Sequence, residues 1–285
     1  DFVSEDEVDS GALARYRVLA LPFAYALSRA TAETLREWVA EGGFLFSGLF
    51  CGAKDEQGYG QVPVPGHGLD GVFGVVEETV EPVLSPDDKP VTGFGEAWSI
   101  VITGRPRYVV RRPVADEGEC RTGTVVEGYR YRVVLRATGD AQVVAEDEEG
   151  RPAVVFRRLG RGATLYFGSF PVPRDPFGAE GLAMLAADFA ALAGAERPAV
   201  VEGRGGRVVE ARLLEGPGGP HLLIVTNAEA EPQEIAVRIP GRRLGDAVDL
   251  ETGERHELGH GPSGARLMVR LEAGDARAYR VEQIG

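Results

Sequence analysis

Arg17-Val-Leu-Ala-Leu-Pro-Phe23, then Thr31-Ala-Glu-Thr-Leu-Arg-Glu-Trp-Val-Ala-Glu-Gly-Gly43, then Phe44-Leu45-Phe46: this succession decides the fold. The first run is continuously apolar after Arg17, the pattern of a strand buried on both faces. A helix follows, which Ser28 or Thr31 can cap, with Glu33 in its first turn and Leu35, Trp38 and Val39 as its apolar stripe. Gly42-Gly43 ends that helix by supplying the left-handed conformation of a C-cap. Phe44-Leu45-Phe46 is the next buried strand. Strand, helix and strand in so short a span predict a right-handed βαβ crossover, and therefore a parallel sheet.

Working outward, residues 47–70 are rich in Gly and Pro and read as a long loop at the carboxyl end of the second strand. Sites in open α/β sheets are built at that edge. Cys51, Asp55 and Glu56 on this loop, with Trp98 further on, are the candidate interface or ligand residues. Between 99 and 140 short alternating strands take over, at Ile100 to Thr103, Tyr108 to Arg111, Thr124 to Val126 and Tyr129 to Leu135. They predict a β-hairpin insertion, with Asp116-Glu117-Gly118-Glu119 at a tip. Ala153 to Phe156 and Thr164 to Phe167 flank Gly160-Arg161-Gly162, a tight connection for an antiparallel pair. Asp175-Pro176 opens a second helix with Leu182, Leu185, Phe189 and Leu192 on one face.

From about Arg197 helical periodicity gives way to short strands separated by turns, the spacing of a β-sandwich. Pro198 and Gly203-Arg204-Gly205-Gly206 read as a linker. The expected organisation is an α/β domain over 1–198 and an all-β sandwich over 199–285.

The chain has 285 residues, 44% of them hydrophobic, enough for real cores in two domains. A formal charge of −13 argues against nucleic acid, whose phosphates need clustered Lys and Arg. The two cysteines make neither a disulfide framework nor a zinc cluster, and they suggest a reduced, cytoplasmic protein. No apolar run approaches the ~20 residues of a membrane span. The opening Asp1-Phe2-Val3-Ser4, without Met or signal peptide, reads as the interior of a longer protein.

Catalytic motifs fare poorly. His256-Glu257-Leu258-Gly259-His260 matches H-E-x-x-H, whose zinc chemistry needs both His on one helical face. Gly253, Gly259 and Gly261-Pro262 deny it that helix, so it reads as a chance match in a polar loop. Cys51 lacks the strand–turn–helix elbow that lowers a thiol pKa, because Gly52-Ala53-Lys54-Asp55-Glu56-Gln57-Gly58 is not helical. Asp55 and Glu56 are loop neighbours with nothing to hold two carboxyls at glycosidase spacing. No phosphate-binding glycine loop is present, and Trp38 and Trp98 read as core or interface residues. No cofactor is expected.

Tyr16 to Tyr25 together with Thr31 to Gly43 resembles the trimerisation domain of glycoside hydrolase family 42 β-galactosidases. So do Asp55-Glu56 after a Gly-rich loop, Gly95-Glu96-Ala97-Trp98, and Gly150 to Gly162 running into Tyr166-Phe-Gly-Ser169. Residues 207–281, with His221-Leu-Leu-Ile-Val-Thr-Asn227, are similar to the small C-terminal β-domain of those enzymes. The resemblance implies an amidotransferase-like (flavodoxin-like), mostly parallel sheet without a working triad. It further implies a homo-oligomer, a trimer by that family's pattern, and a catalytic (β/α)8 barrel on an N-terminal segment missing from this chain. The family's acid/base Glu follows an Asn, whereas the sole Asn here, Asn227, precedes Ala228, so no catalytic residue is carried over. The 99–140 region is longer than the family pattern, and a first strand and helix of the α/β domain are missing. Two other readings stay open: an amidohydrolase using Cys51, and a carbohydrate-binding module using Trp98 and the 47–70 loop.

Overall fold

The computed structural model describes residues 1–85, 90–91, 99–100, 103–171, 180–195, 197–202, 209–215, 221–241 and 244–283. The chain divides into two compact units, Asp1–Ala195 and Glu196–Gly285. Trp98, Asp175-Pro176 and Gly203 to Gly206, singled out in the sequence, lie outside the described residues.

The first unit runs α1 (Glu5–Asp9), a 3-10 turn (Ala12–Arg15), β1 (Val18–Leu21), α2 (Arg29–Glu41), β2 (Phe44–Ser47), α3 (Leu69–Phe73) and β3 (Val75–Pro82). A short ribbon of β4 (Pro90–Val91) and β5 (Ser99–Ile100) follows. Then come β6 (Arg107–Val110), β7 (Val125–Glu127), β8 (Tyr131–Ala137), β9 (Gln142–Glu146), β10 (Pro152–Leu159), β11 (Gly162–Phe167) and α4 (Glu180–Leu192). Seven strands make the main sheet, in the order β1-β2-β11-β10-β9-β6-β7.

Within that sheet β1, β2 and β11 are parallel, and every pairing from β11 outward to β7 is antiparallel. The expectation of a mostly parallel sheet is therefore corrected. Connection length is the reason: α2 is long enough to return the chain parallel, whereas Gly160-Arg161 is a tight turn that forces β11 back beside β10. Gly160 makes that turn with φ +59, and a side chain there would meet the Ala40 carbonyl.

In the region expected as a hairpin insertion, β6 and β7 pair antiparallel with each other. β6 and β7 form the far edge of the main sheet, with Tyr108, Val110 and Val126 fully buried, while β8 pairs with β3. The alternating pair therefore extends the main sheet through the pairing of β6 with β9.

Alternate residues of the central strands feed two cores. Leu45, Val155 and Tyr166 join Leu35 and Val39 of α2 and Leu69 and Phe73 of α3. Phe44, Val154, Phe156, Leu165 and Phe167 join Leu182, Leu185 and Phe189 of α4. Helices therefore cover both faces, and β11, buried along its whole length, is the centre. α2 is capped as its sequence predicts: the Ser28 hydroxyl accepts from the Thr31 N–H at 3.0 Å, and Gly42 ends it at φ +127. Trp38 is structural; its ring lies over Gly43, and its indole N–H donates to the Leu13 carbonyl at 3.1 Å.

β1 departs from expectation. It is an edge strand, with Ala20 exposed rather than buried on both faces. Among the described residues β2 is its one sheet partner.

The second unit contains β12 (Val200–Glu202), β13 (Val209–Leu214), β14 (His221–Asn227), β15 (Gln233–Ile239), β16 (Leu244–Asp249), β17 (Arg255–His256), β18 (Gly259–Gly261), β19 (Gly264–Leu271) and β20 (Ala276–Gln283). They form two antiparallel sheets, β12-β15-β19-β18 and β13-β14-β20-β16-β17, around one apolar core. β19 shows the alternation plainly, with Ala265, Leu267, Val269 and Leu271 inward and Arg266, Met268 and Arg270 outward. The stretch expected as a linker contains β12, because Ala199 packs into the core and Val200 to Glu202 pair with β15. Asn227 closes a corner: its amide donates to the Glu231 and Glu272 carbonyls, and its oxygen accepts from the Glu229 N–H. No helix of the described residues is long and apolar enough to cross a membrane.

Candidate functional site

Three turns leave the carboxyl ends of β1, β2 and β11, and each carries an aromatic ring a few residues on. Leu21 is followed by Pro22-Phe23, Ser47 by Gly48-Leu49-Phe50, and Phe167 by Gly168-Ser169-Phe170. Gly48 lets the three turns meet, because a Cβ there would lie 2.6 Å from Pro171 and 2.9 Å from the Pro22 carbonyl. Backbone bonds stitch the turns together. Leu49 N–H donates to the Ser169 carbonyl, Gly52 N–H to Ala24 and Lys54 N–H to Tyr25.

The rings form one connected surface. Phe23 stacks on Tyr25 with centroids 5.8 Å apart and meets Phe170 edge-on at 5.1 Å. Tyr25 meets Phe50 at 5.9 Å, and Tyr131 links Phe50 to Phe170. Phe23 is 52% exposed and Tyr25 39%. Lys54 lies over the Tyr25 ring at 5.7 Å, and Arg130 over Tyr129 at 5.0 Å.

A polar triad lies beneath. Phe50 is held at φ +62, a conformation unusual for a bulky residue. Its N–H donates to a Glu77 carboxylate oxygen at 2.7 Å, and the Tyr166 hydroxyl donates to the same oxygen at 2.6 Å. The Cys51 N–H in turn donates to the Tyr166 hydroxyl at 3.4 Å. Burial pushes the Glu77 carboxyl above the usual range, partly offset by the Tyr166 hydroxyl and the Phe50 N–H. The strained turn and the ring it presents are thus clamped from β3 and β11.

The sequence candidates fall in different places. Cys51 is fully buried, and burial pushes its thiol up to about 12, with the Glu77 charge adding to the rise. Such a thiol is not a nucleophile at neutral pH. Asp55 closes its own loop, one oxygen accepting from the Gln57 and Tyr59 N–H groups and the other from the Gln61 amide. Glu56 is exposed and takes a bond from the Gln57 amide. Cys51 and Asp55 are brought near the aromatic surface as framework.

His256 and His260 lie on β17 and β18, strands of different sheets, so they share no helical face. His256 packs against the Tyr279 ring at 5.6 Å, and His260 is exposed. Among the described residues no three His, Cys, Asp or Glu converge as a metal site would require.

Sequence reasoning missed Phe23, Tyr25, Phe50, Phe170, Glu77 and Tyr166. A signal for the rings was present in the sequence. Each of three strand-forming runs ends in a short turn that delivers an aromatic to the same side, and residues so placed cannot all enter the core behind them.

The sequence profile of the β-galactosidase trimerisation domain matches residues 1–196. Among solved structures, the chain is similar to the β-galactosidase of Bacillus circulans sp. alkalophilus, with TM-score 0.66 and 21% identity over 97% of this chain and 34% of that one. It is similar to a catalytic mutant of a family 42 β-galactosidase from G. stearothermophilus, with TM-score 0.63 and 20% identity over 95% of this chain and 32% of that one. Alpha-L-fucosidase isoenzyme 2 from Paenibacillus thiaminolyticus also matches, at TM-score 0.58 and 13% identity over 96% of this chain and 42% of that one. At these identities the likeness shows the fold alone, and the chain spans about a third of the length of the β-galactosidases. No curated protein matched.

Proposed function

The chain belongs to the β-galactosidase trimerisation domain family, and from that premise we propose that it is the assembly portion of a β-galactosidase-like glycoside hydrolase. In this reading a catalytic barrel is supplied by sequence outside this chain, and the 285 residues hold copies of the enzyme together without cleaving sugar. The observation that carries it is the match across residues 1–196, which takes in the whole first unit. Coverage of only about a third of each similar β-galactosidase supports the same reading.

The chemistry of the candidate residues agrees with it. The buried thiol of Cys51 beside an acid is unsuited to amide hydrolysis, and the exposed groups at the strand ends are aromatic rings rather than acid–base pairs. The likeness to class I amidotransferases belongs to this proposal as well. It is supported by three parallel strands flanked by helices on both faces, on a sheet whose other half is antiparallel.

Light scattering on the purified chain, with an assay on a chromogenic β-galactoside, tests the function. The expected result is a self-associated chain without hydrolysis; turnover that survives stringent purification would overturn it.

A further inference from the structure

We propose that the cleft between β17 and the β18–β19 edge of the second unit binds a neutral sugar ring. The site is separate from the aromatic face and holds whether or not copies of the chain associate.

Strand geometry makes the cleft. β17 ends one sheet and β18 ends the other, and the chain crosses between them at Leu258, which is buried in the core. β18 covers β19 only from Gly264 to Arg266. From Leu267 onward β19 has no sheet neighbour on that side among the described residues. At this gap lies a cleft of about 520 Å³ whose lining includes Arg255, His256, Glu257, Gly259, Arg266 and Met268. Small-molecule sites run from about 300 to 1,000 Å³.

The polar groups around it are unspent. Glu257 is exposed and makes no hydrogen bond or ion pair among the described residues. His256 is held by its ring alone, edge-on to Tyr279, with neither nitrogen bonded to a described residue. Glu202 holds Arg266 through its Nε at 3.2 Å, and Asp246 lies 3.7 Å from one Nη of Arg255. The other N–H groups of the two guanidiniums have no partner among the described residues. A Cβ at Gly259 would meet one atom within reach, the Arg266 carbonyl oxygen at 3.7 Å, so the protein itself leaves that spot unfilled.

Charge selects the ligand. The cleft holds two guanidiniums and the Glu257 carboxylate, and Glu202 and Asp246 beside the guanidiniums offset what remains. An anion gains little where the cations are already balanced, and a metal ion is repelled by the two arginines. A neutral ligand with several hydroxyls fits both signs at once: a carboxylate accepts, a guanidinium donates, and each hydroxyl of a sugar does both. Met268, 55% exposed, supplies an adaptable apolar wall for the C–H face of the ring.

The test is saturation-transfer NMR on the full 285-residue chain, with methyl β-galactopyranoside and methyl β-glucopyranoside as probes and inorganic phosphate as competitor. Binding of at least one glycoside is expected, with a Kd of about 1 mM and no displacement by equimolar phosphate. Glu257→Ala should weaken it at least about 10-fold, the scale of a hydrogen bond to a charged group. Gly259→Leu fills the open spot and should abolish transfer, while the exposed His260→Ala should leave it unchanged. Thermal melting checks that each variant folds, and should Gly259→Leu fail there, Glu257→Ala decides the matter. A wild type that takes neither glycoside, or a folded Glu257→Ala that binds as tightly as wild type, would overturn the site. Displacement by phosphate would overturn the assignment of a neutral ligand.

Discussion

The turn at residues 48–52 and the corner at residues 255–261 each carry a sequence that resembles catalytic machinery, and backbone geometry empties each of that chemistry in a different way. At the first, a cysteine follows a buried strand, as in a nucleophile elbow, but its thiol lies inside the core beside Glu77. At the second, two histidines with intervening Glu sit on extended backbone in two different sheets. The first turn is tied into the fold by a shared carboxylate, while at the second Leu258 anchors the chain in the core and leaves Gly259, His260 and Gly261 exposed. A motif acquires its chemistry from the element that carries it.

That contrast can be broken most sharply at Cys51. With its thiol near 12 against an ordinary ~8.5, Cys51 in the native protein should react with a thiol reagent at least roughly 1,000-fold more slowly than in the unfolded chain, as followed by peptide mapping. Fast labelling of native Cys51 would show that the turn opens.

Stability comes next. Glu77→Ala leaves the Phe50 N–H and the Tyr166 hydroxyl without their acceptor and should cost about 2–3 kcal/mol in urea unfolding. Tyr166→Phe, which removes one bond to that carboxylate, should cost about 1–2 kcal/mol. At the corner, His260→Ala should stay within about 0.5 kcal/mol of wild type, as exposed substitutions usually do. Equal losses at the two places would erase the distinction.

Glu77 also gives the first turn a pH signature. Its folded carboxyl lies above the ordinary Glu value of ~4.3, so it favours folding fully below that pH. The contribution is lost as pH rises through the raised folded value. Glu77→Gln keeps an acceptor for both donors and removes the titration. Its stability should therefore fall less steeply than that of wild type as pH rises from about 4, measured by urea midpoints across that range.

Much of this architecture was legible in the sequence. Val18 to Phe46 announced a parallel pair and its crossover helix, down to the Ser28 cap and the Gly42 stop. The strands of the second unit followed from alternation such as that of β19. What was not legible depends on partners distant in sequence. An apolar run like Val18 to Leu21 looks the same at a sheet centre and at its edge, and only the strand order shows that β1 is last. Likewise the pair that joins Tyr108 and Val126 reads as free-standing in the sequence, and only β9 beside it makes it an edge of the main sheet. The aromatic surface was hidden for the same reason. Phe170 lies more than a hundred residues from Phe23 and Phe50 and joins them only when β11 inserts between β2 and β10.

Assembly is the property on which the account stands. Sedimentation equilibrium of the full chain over a hundredfold range of concentration should resolve a closed species with the mass of three chains. A single species with the mass of one chain at every concentration would contradict the account.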